Sequence, residues 1–264
     1  MENKKPEDIK QYLQWLQEAH KMTIDEHYKA YYKSVTSNVK FELEKSKFWR
    51  ELTDNLNEYA EQYQLECGYV LFSPNLQLEV LTKTFDSFLL KTYRKNVLEN
   101  QSWPDQPNGG WLLPSNWFGK INDIIRTLLV VKYLDGVNFV KEKISSFCKA
   151  NDMICDATYE AREEGYYALH LYTKKTFEIR TLEWDAEDAA FSIEIQITTQ
   201  LQEVIRRLLH KYYEQRRKKL EKSADKWQWD YRSDEFCTNY LGHILHYIEG
   251  MIMDIREKQR SDEL

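Results

Sequence analysis

The sequence predicts a mixed α/β (α+β) fold: a mixed β-sheet of about five strands, flanked by helices and carrying helical N- and C-terminal extensions. Three observations predict it. Phe191 to Thr198 (FSIEIQIT) alternates with period two, so Phe191, Ile193, Ile195 and Ile197 share one face of a strand. Ile124 to Tyr133 is a strongly apolar run that fits a buried strand. The first seventy or so residues, and those after Ser233, repeat their apolar positions at helical spacing instead.

The first strand raises a functional question. Its isoleucine face is β-branched or aromatic throughout and should lie against helices. Its other face carries Ser192, Glu194, Gln196 and Thr198. Such a face is either the solvated side of an antiparallel strand or the floor of a polar cleft, with Glu194 as a metal-binding or base carboxylate. The neighbouring segments favour the cleft.

Composition narrows the class. The chain has 264 residues, 42% apolar and 30% charged, as expected of one large globular domain with decorations. No apolar run is long enough to span a membrane, and MENKKPEDIK lacks an apolar signal core. The four cysteines form no CxxC pair and read as reduced thiols, which predicts a cytoplasmic protein. A net charge of −6 disfavours a globally basic nucleic-acid binder but leaves room for a local basic face.

Ile9, Tyr12, Leu13 and Leu16 form one helix face, Thr23 and Glu26 resemble a capping box, and Phe48, Leu52, Leu56 and Tyr59 continue a helical stripe. Lys83, Ser87 and Lys91 are spaced by four, with Arg94 three further on, which predicts one helix face. A hydroxyl among cations suits a polyphosphate; the same pattern also describes a solvated basic face. Residues 96 to 117 hold three of the five prolines, a Gly109-Gly110 pair and three tryptophans, and predict an ordered loop whose indoles pin it to the body or cover a base. GxxxxGK[ST] is absent.

Asp123 stands at the entrance of the apolar strand and Arg126 just inside it; a carboxylate there either caps a turn or holds Mg²⁺ in a cleft. A helix is expected over 137 to 149 and a loop over 150 to 159. The stretch from Glu163 to Trp184 reads as a hairpin turning at Lys174-Lys175, with Tyr166 and His170 on one face as a stacking ring and a hydrogen-bonding imidazole, or as cross-strand packing. After Thr198 a helix is expected to about Lys222, with a basic run from Arg206 through His210 to Lys219 that is either solvated or faces phosphates. Phe236, Tyr240, Ile244, Tyr247, Ile248, Met251 and Ile255 predict an amphipathic helix opened by Ser233. Its His243, His246 and Glu249 read as packing and hydrogen-bonding groups before metal ligands.

Taken in order, KxxxSxxxKxxR from Lys83, DIIR from Asp123, GYYALH from Gly165, EIQIT from Glu194 and HKYY from His210 resemble the synthetase domain of the RelA/SpoT-type alarmone synthetases, over roughly residues 79 to 215. The resemblance implies a nucleotidyltransferase-like sheet and transfer of the β,γ-pyrophosphate of ATP to the 3′-hydroxyl of GDP or GTP, with Mg²⁺. It implies that Lys83, Ser87 and Lys91 lie near the ATP phosphates, with Arg94 and Arg126 as further cations. It makes Asp123 and Glu194 the catalytic and metal-binding carboxylates. Tyr166 becomes the platform for the acceptor guanine, with His170, Gln196 and His210 beside the substrates. It divides the chain into a helical extension (1–78), a synthetase domain (79–222) and a C-terminal amphipathic extension (223–264).

The chain departs from the family pattern at Thr198, where EIQIRT has arginine, at Leu81, at Tyr167, and at Arg126, two positions earlier than in DIxGxR. Both carboxylates and Tyr166 are retained, so an active pyrophosphokinase is expected. The hydrolase motif's His-Asp dipeptide is absent. Small members of this family either make ppGpp or pppGpp, or are toxins that pyrophosphorylate the 3′ end of tRNA or make adenosine alarmones and are held by an antitoxin. Both readings stand at this stage. So do a non-catalytic nucleotide-binding module that uses the C-terminal helix as a partner surface, and a homo-oligomer built by that helix.

Overall fold

The computed structural model describes residues 4–73, 76–208 and 227–262. Three helices open the chain: α1 (Ile9–His20), α2 (Glu26–Lys45) and α3 (Lys47–Cys67). Asp8 caps α1 by accepting from the Gln11 amide. α2 is capped by Asp25, which accepts from the His27 and Tyr28 amides, and not by the expected Thr23–Glu26 pair. An aspartate directly before the first helical residue meets the orphan amides better than a threonine two places upstream. α3 buries Phe48, Leu52, Leu56 and Tyr59, the four residues its spacing selects.

Five strands follow: β1 (Leu81–Thr82), β2 (Ile125–Val131), β3 (Cys155–Ala161), β4 (Tyr167–Arg180) and β5 (Ala186–Thr199). They form one mixed sheet in the order β1-β2-β5-β4-β3. The other α-helices among the described residues are α4 (Phe85–Tyr93), α5 (Trp117–Lys120), α6 (Leu134–Ala150), α7 (200–208) and α8 (Asp234–Asp262). No helix among them is long and apolar enough to cross a membrane.

The expected turn at Lys174-Lys175 does not exist. β4 runs unbroken for 14 residues, because Leu171, Thr173, Phe177 and Ile179 keep one face buried across the lysine pair. Neither lysine supplies the positive φ or the local side-chain bond that makes a turn. The hairpins lie on either side: β3 pairs antiparallel with β4 from Cys155↔Thr173 to Ala161↔Tyr167, and residues 181–185 turn into β5.

The chain divides into two compact units, each assembled from segments distant in sequence: residues 1–46, 80–126 and 174–194 form one, and 47–79, 127–173 and 195–264 the other. The reason is non-local packing. In the first unit Tyr32 of α2 packs on Phe85 and Phe88 of α4, while Trp15 of α1 packs on Trp103 and Trp111. The loop indoles therefore pin the loop to α1. In the second unit Phe48 of α3 packs on Phe147 of α6, and α8 is anchored by polar groups. Arg256 lies over the rings of Tyr69 and Tyr133, at 3.8 and 4.3 Å, and pairs with Asp135 at 3.0 Å. At Gly242 and Gly165 the backbones approach so closely that a Cβ on Gly242 would stand 2.3 Å from the Gly165 carbonyl oxygen.

Candidate active site

In the first unit, the carboxylate of Asp123 is held by two lysines. Lys83 Nζ donates to Oδ2 and Lys91 Nζ to Oδ1, each at 2.8 Å. Asp123 sits in the turn before β2, not in the strand. Lys91 reaches it from α4. Lys83 does not belong to that helix, contrary to the single helix face expected: Thr84 is the N-cap, and Lys83 extends β1, its amide donating to the Ile124 carbonyl at 2.9 Å. A cap needs extended backbone, so the i, i+4 spacing from Lys83 to Ser87 spans a strand end and a first turn. The two ammonium groups nonetheless converge.

The electrostatics are mutual. Burial alone would raise the Asp123 carboxyl, but the charges and hydrogen bonds of Lys83 and Lys91 outweigh it and hold the group down at about 2. Burial lowers the Lys83 ammonium below its ordinary range; Asp123 opposes this, while Lys91 and Arg126 add to it. Two cations on one anion leave the cluster with excess positive charge, which suits a polyphosphate. Arg126, half-buried and opposite Leu81 in the β1–β2 register, makes no ion pair among the described residues and adds to that excess.

Ser87 is exposed in the first turn of α4 and accepts from the Thr84 hydroxyl at 2.9 Å. Arg94 leaves the group: it opens a π-helical turn (Arg94–Leu98) and pairs with Glu99 at 2.6 Å. The wider turn spoils the angular bookkeeping that placed it beside Lys91.

Glu194 lies on β5, the neighbour of β2 in the sheet, and is 3% exposed. Ser192 and Thr198 on the same face are buried as well, and Ser192 Oγ has no hydrogen-bond partner. This face is not a solvated sheet surface. Mg²⁺ is commonly held by one or two carboxylates together with substrate phosphates, and no cluster of three metal-ligating residues occurs among the described residues. Asp123 accepts one lysine hydrogen bond on each oxygen, which leaves each a lone pair. Asp123 and the buried Glu194 thus fit a Mg²⁺ that arrives with a nucleotide.

In the second unit, Tyr166 stands at the entrance of β4, directly after Gly165, whose positive φ of 76° suits the tight turn. Its hydroxyl shares a hydrogen bond of 3.0 Å with His170 Nε2, and His170 Nδ1 shares another of 3.1 Å with the Tyr172 hydroxyl. His170 is buried between the two phenols, so it orients Tyr166. The Arg162 guanidinium lies 5.2 Å from the Tyr166 ring centre. Gln196 is half-buried on β5. His210 and the basic residues from Lys211 to Lys219 lie outside the described residues; Arg206 and Arg207, just before them, both donate to Glu203, at 2.9 and 2.7 Å.

Sequence reasoning missed three positioning groups. Tyr32 donates its hydroxyl to the Lys83 carbonyl at 2.9 Å, fixing that lysine's backbone from α2. Tyr172 and Arg162 flank the tyrosine–histidine pair. Only Tyr172 carried a signal, as it continues the period-two face of Tyr166 and His170.

Neither a family model nor a curated protein sequence matches this chain at a significant level. Solved structures do. Small alarmone synthetase 1 from Bacillus subtilis is similar with a TM-score of 0.52 and 15% identity, over 89% of this chain and 97% of that one. The same values of score and identity hold for that enzyme bound to its product pppGpp. Small alarmone synthetase 2 from Bacillus subtilis follows at 0.51 and 16%, over 86% and 98% of the two chains, and a GTP pyrophosphokinase family protein from Streptococcus pneumoniae at 0.50 and 16%, over 91% and 97%. This is the fold of the small alarmone synthetases. At such identity the likeness fixes the path of the chain across the small alarmone synthetase fold, and the chemistry rests on the residues above.

Proposed function

We propose that this protein is a pyrophosphokinase that transfers the β,γ-pyrophosphate of ATP to the 3′-hydroxyl of a guanine nucleotide, GDP or GTP. The observation that carries the reading is the Lys83–Asp123–Lys91 cluster, a cation-rich group built around one carboxylate, with Glu194 buried on the strand next to β2. The likeness to a synthetase solved with pppGpp supports the choice of a guanine acceptor.

Pyrophosphoryl transfer asks for alignment and charge neutralisation more than for covalent chemistry. Lys83 and Lys91 exchange part of their bonding to Asp123 for phosphate oxygens of the donor, and Arg126 adds a third cation. The Ser87 hydroxyl donates to the same phosphates. Asp123 and Glu194 hold Mg²⁺, which supplies neutralisation of the polyphosphate when bound. Glu194 orients the acceptor 3′-hydroxyl or takes its proton. Tyr166 stacks on the acceptor base and His170 keeps its ring in place, so that encounter becomes alignment.

The test is transfer of label from β,γ-labelled ATP with Mg²⁺, run in parallel with GDP, GTP, AMP, ADP, ATP and bulk tRNA. Label on GDP or GTP is the expected result. Label on tRNA or an adenine nucleotide alone would replace the guanine acceptor with a toxin's substrate, and label on none of them would reduce the protein to a nucleotide-binding module.

A further inference from the structure

On the face of the sheet opposite His170 and Gln196, the second unit holds a cavity of about 220 Å³. Its strand walls come from alternate positions, Tyr167 and Leu169 of β4 and Ile197 and Thr199 of β5. α6 contributes Val137 and α8 contributes Glu249.

The walls are largely apolar, and their charge is of one sign. Among the described residues no lysine or arginine lines the cavity, whereas Glu160 and Glu249 do. Glu160 is matched by Arg162 at 3.0 Å. Glu249 is 5% exposed. Lys132 lines a neighbouring cavity that Glu249 also borders, but makes no ion pair with it among the described residues. Glu249 accepts from the Thr199 hydroxyl on one oxygen and shares a hydrogen bond of 3.3 Å with His246 on the other. His246 is itself fixed by stacking on the Tyr167 ring at 3.7 Å. Each carboxylate oxygen has two lone pairs, so each keeps one for a further donor. Burial raises the Glu249 carboxyl against these bonds, as expected of a charge still short of compensation.

These features select a ligand. An anion would meet two carboxyls and no lysine or arginine, so a phosphate, and with it a nucleotide, does not fit. A neutral apolar molecule would leave Glu249 as uncompensated as before. A cation on an apolar body satisfies both halves of the cavity. Its N–H groups reach the vacant lone pairs, the rings of Tyr159 and Tyr167 attract an ammonium, and the aliphatic walls take the body. The volume suits one ring with a short arm, below the roughly 300 Å³ at which drug-sized sites begin.

We propose that this cavity is a binding site for a small monocationic amine, an ammonium carried on a short apolar body, with Glu249 as its counter-ion. The site is separate from the acceptor side of the candidate active site, because Tyr167 and His170 stand on opposite faces of β4. Its test therefore does not depend on the transfer reaction.

The experiment is calorimetric titration of the full chain with three probes that share one ring: phenethylamine, 2-phenylethanol and phenylacetate. Phenethylamine is expected to bind with a Kd of about 10 μM to 1 mM, a range open to a ligand of its size. The alcohol should bind at least about 10-fold more weakly, since it forgoes a charge-assisted bond, and the acid more weakly still. Glu249→Gln should bring phenethylamine down to the level of the alcohol, with circular dichroism checking that the variant folds. In the wild type, methyl NMR should show phenethylamine shifting Val137, Leu169 and Ile197, a readout that needs no variant. Absence of phenethylamine binding at millimolar concentration, equal affinity for the amine and the acid, an amine preference retained in Glu249→Gln, or shifts confined to residues away from the cavity would each overturn the proposal.

Discussion

Lys83 donates to Asp123 across forty residues of sequence, Nζ to Oδ2 at 2.8 Å. The carboxylate that the proposed reaction needs for a metal is thus already engaged by the cations that it needs for phosphates. The two demands are compatible only if the nucleotide brings enough negative charge to share.

Asp123→Asn tests that cluster. The amide keeps an acceptor for one lysine and presents a donor to the other, leaving two cations about one neutral group. Turnover is expected to fall by at least about 100-fold, as when one preorganised charge partner of a transition state is lost. The folded state should survive at a cost of about 1–3 kcal/mol, since the lysines are partly exposed and solvent screens them. Steady-state rates and denaturant melts read the two effects separately.

Asp123 also sets an acid limit. Its folded-state value of about 2 lies below its ordinary one. Its contribution to stability is therefore complete above about pH 4 and lost as the pH falls toward 2. Acid melts of wild type and Asp123→Asn should converge over that window. Parallel curves would show that the ion pairs contribute nothing to the fold.

Mg²⁺ should bind the free protein poorly and the nucleotide-loaded protein well. The excess positive charge of Lys83, Lys91 and Arg126 opposes a dication until phosphates arrive. Calorimetric titration of Mg²⁺ with and without a non-hydrolysable ATP analogue checks the ordering; equal affinities in the two titrations would remove Asp123 as a ligand.

At the proposed acceptor side, Tyr166→Ala removes a stacking surface worth about 1–3 kcal/mol, so the acceptor KM should rise about 5- to 150-fold with little change in the KM for ATP. His170→Ala should give a smaller rise, because the ring of Tyr166 remains but loses its 3.0 Å anchor. An equal loss in kcat at saturating acceptor for both variants would make the pair structural.

Glu249 makes the opposite pH argument to Asp123. Burial raises its carboxyl, against the hydrogen bonds of Thr199 and His246. A raised acid binds its proton more tightly folded than unfolded, so wild-type stability falls as pH climbs above about 4. Glu249→Gln still accepts from Thr199 and carries no charge, and should gain on wild type from pH 5 to pH 8 in thermal melts.

Periodicity made much of this architecture legible. The isoleucines of β5 and the stripe of α3 report their buried faces directly, because burial on one side imposes the pattern. What eluded it was orientation and continuity. Lys174-Lys175 reads as a turn in sequence, yet the alternating face of β4 runs through it. Lys83, Ser87 and Lys91 read as one helix because spacing carries no sign of a cap at Thr84. The stripe on α8 was plain, but the side it turns to the body was not: that is decided by Tyr69, Tyr133 and Asp135, which hold Arg256 from more than a hundred residues away.

The contact between Gly242 and Gly165 has a further effect. With no side chain on either residue, α8 rests backbone to backbone on the turn that ends one residue before Tyr166. A slide or roll of that helix has no flexible side chain to absorb it and must be transmitted through a single peptide to the tyrosine. Whatever grips the outer surface of α8 therefore bears on the proposed acceptor platform as well.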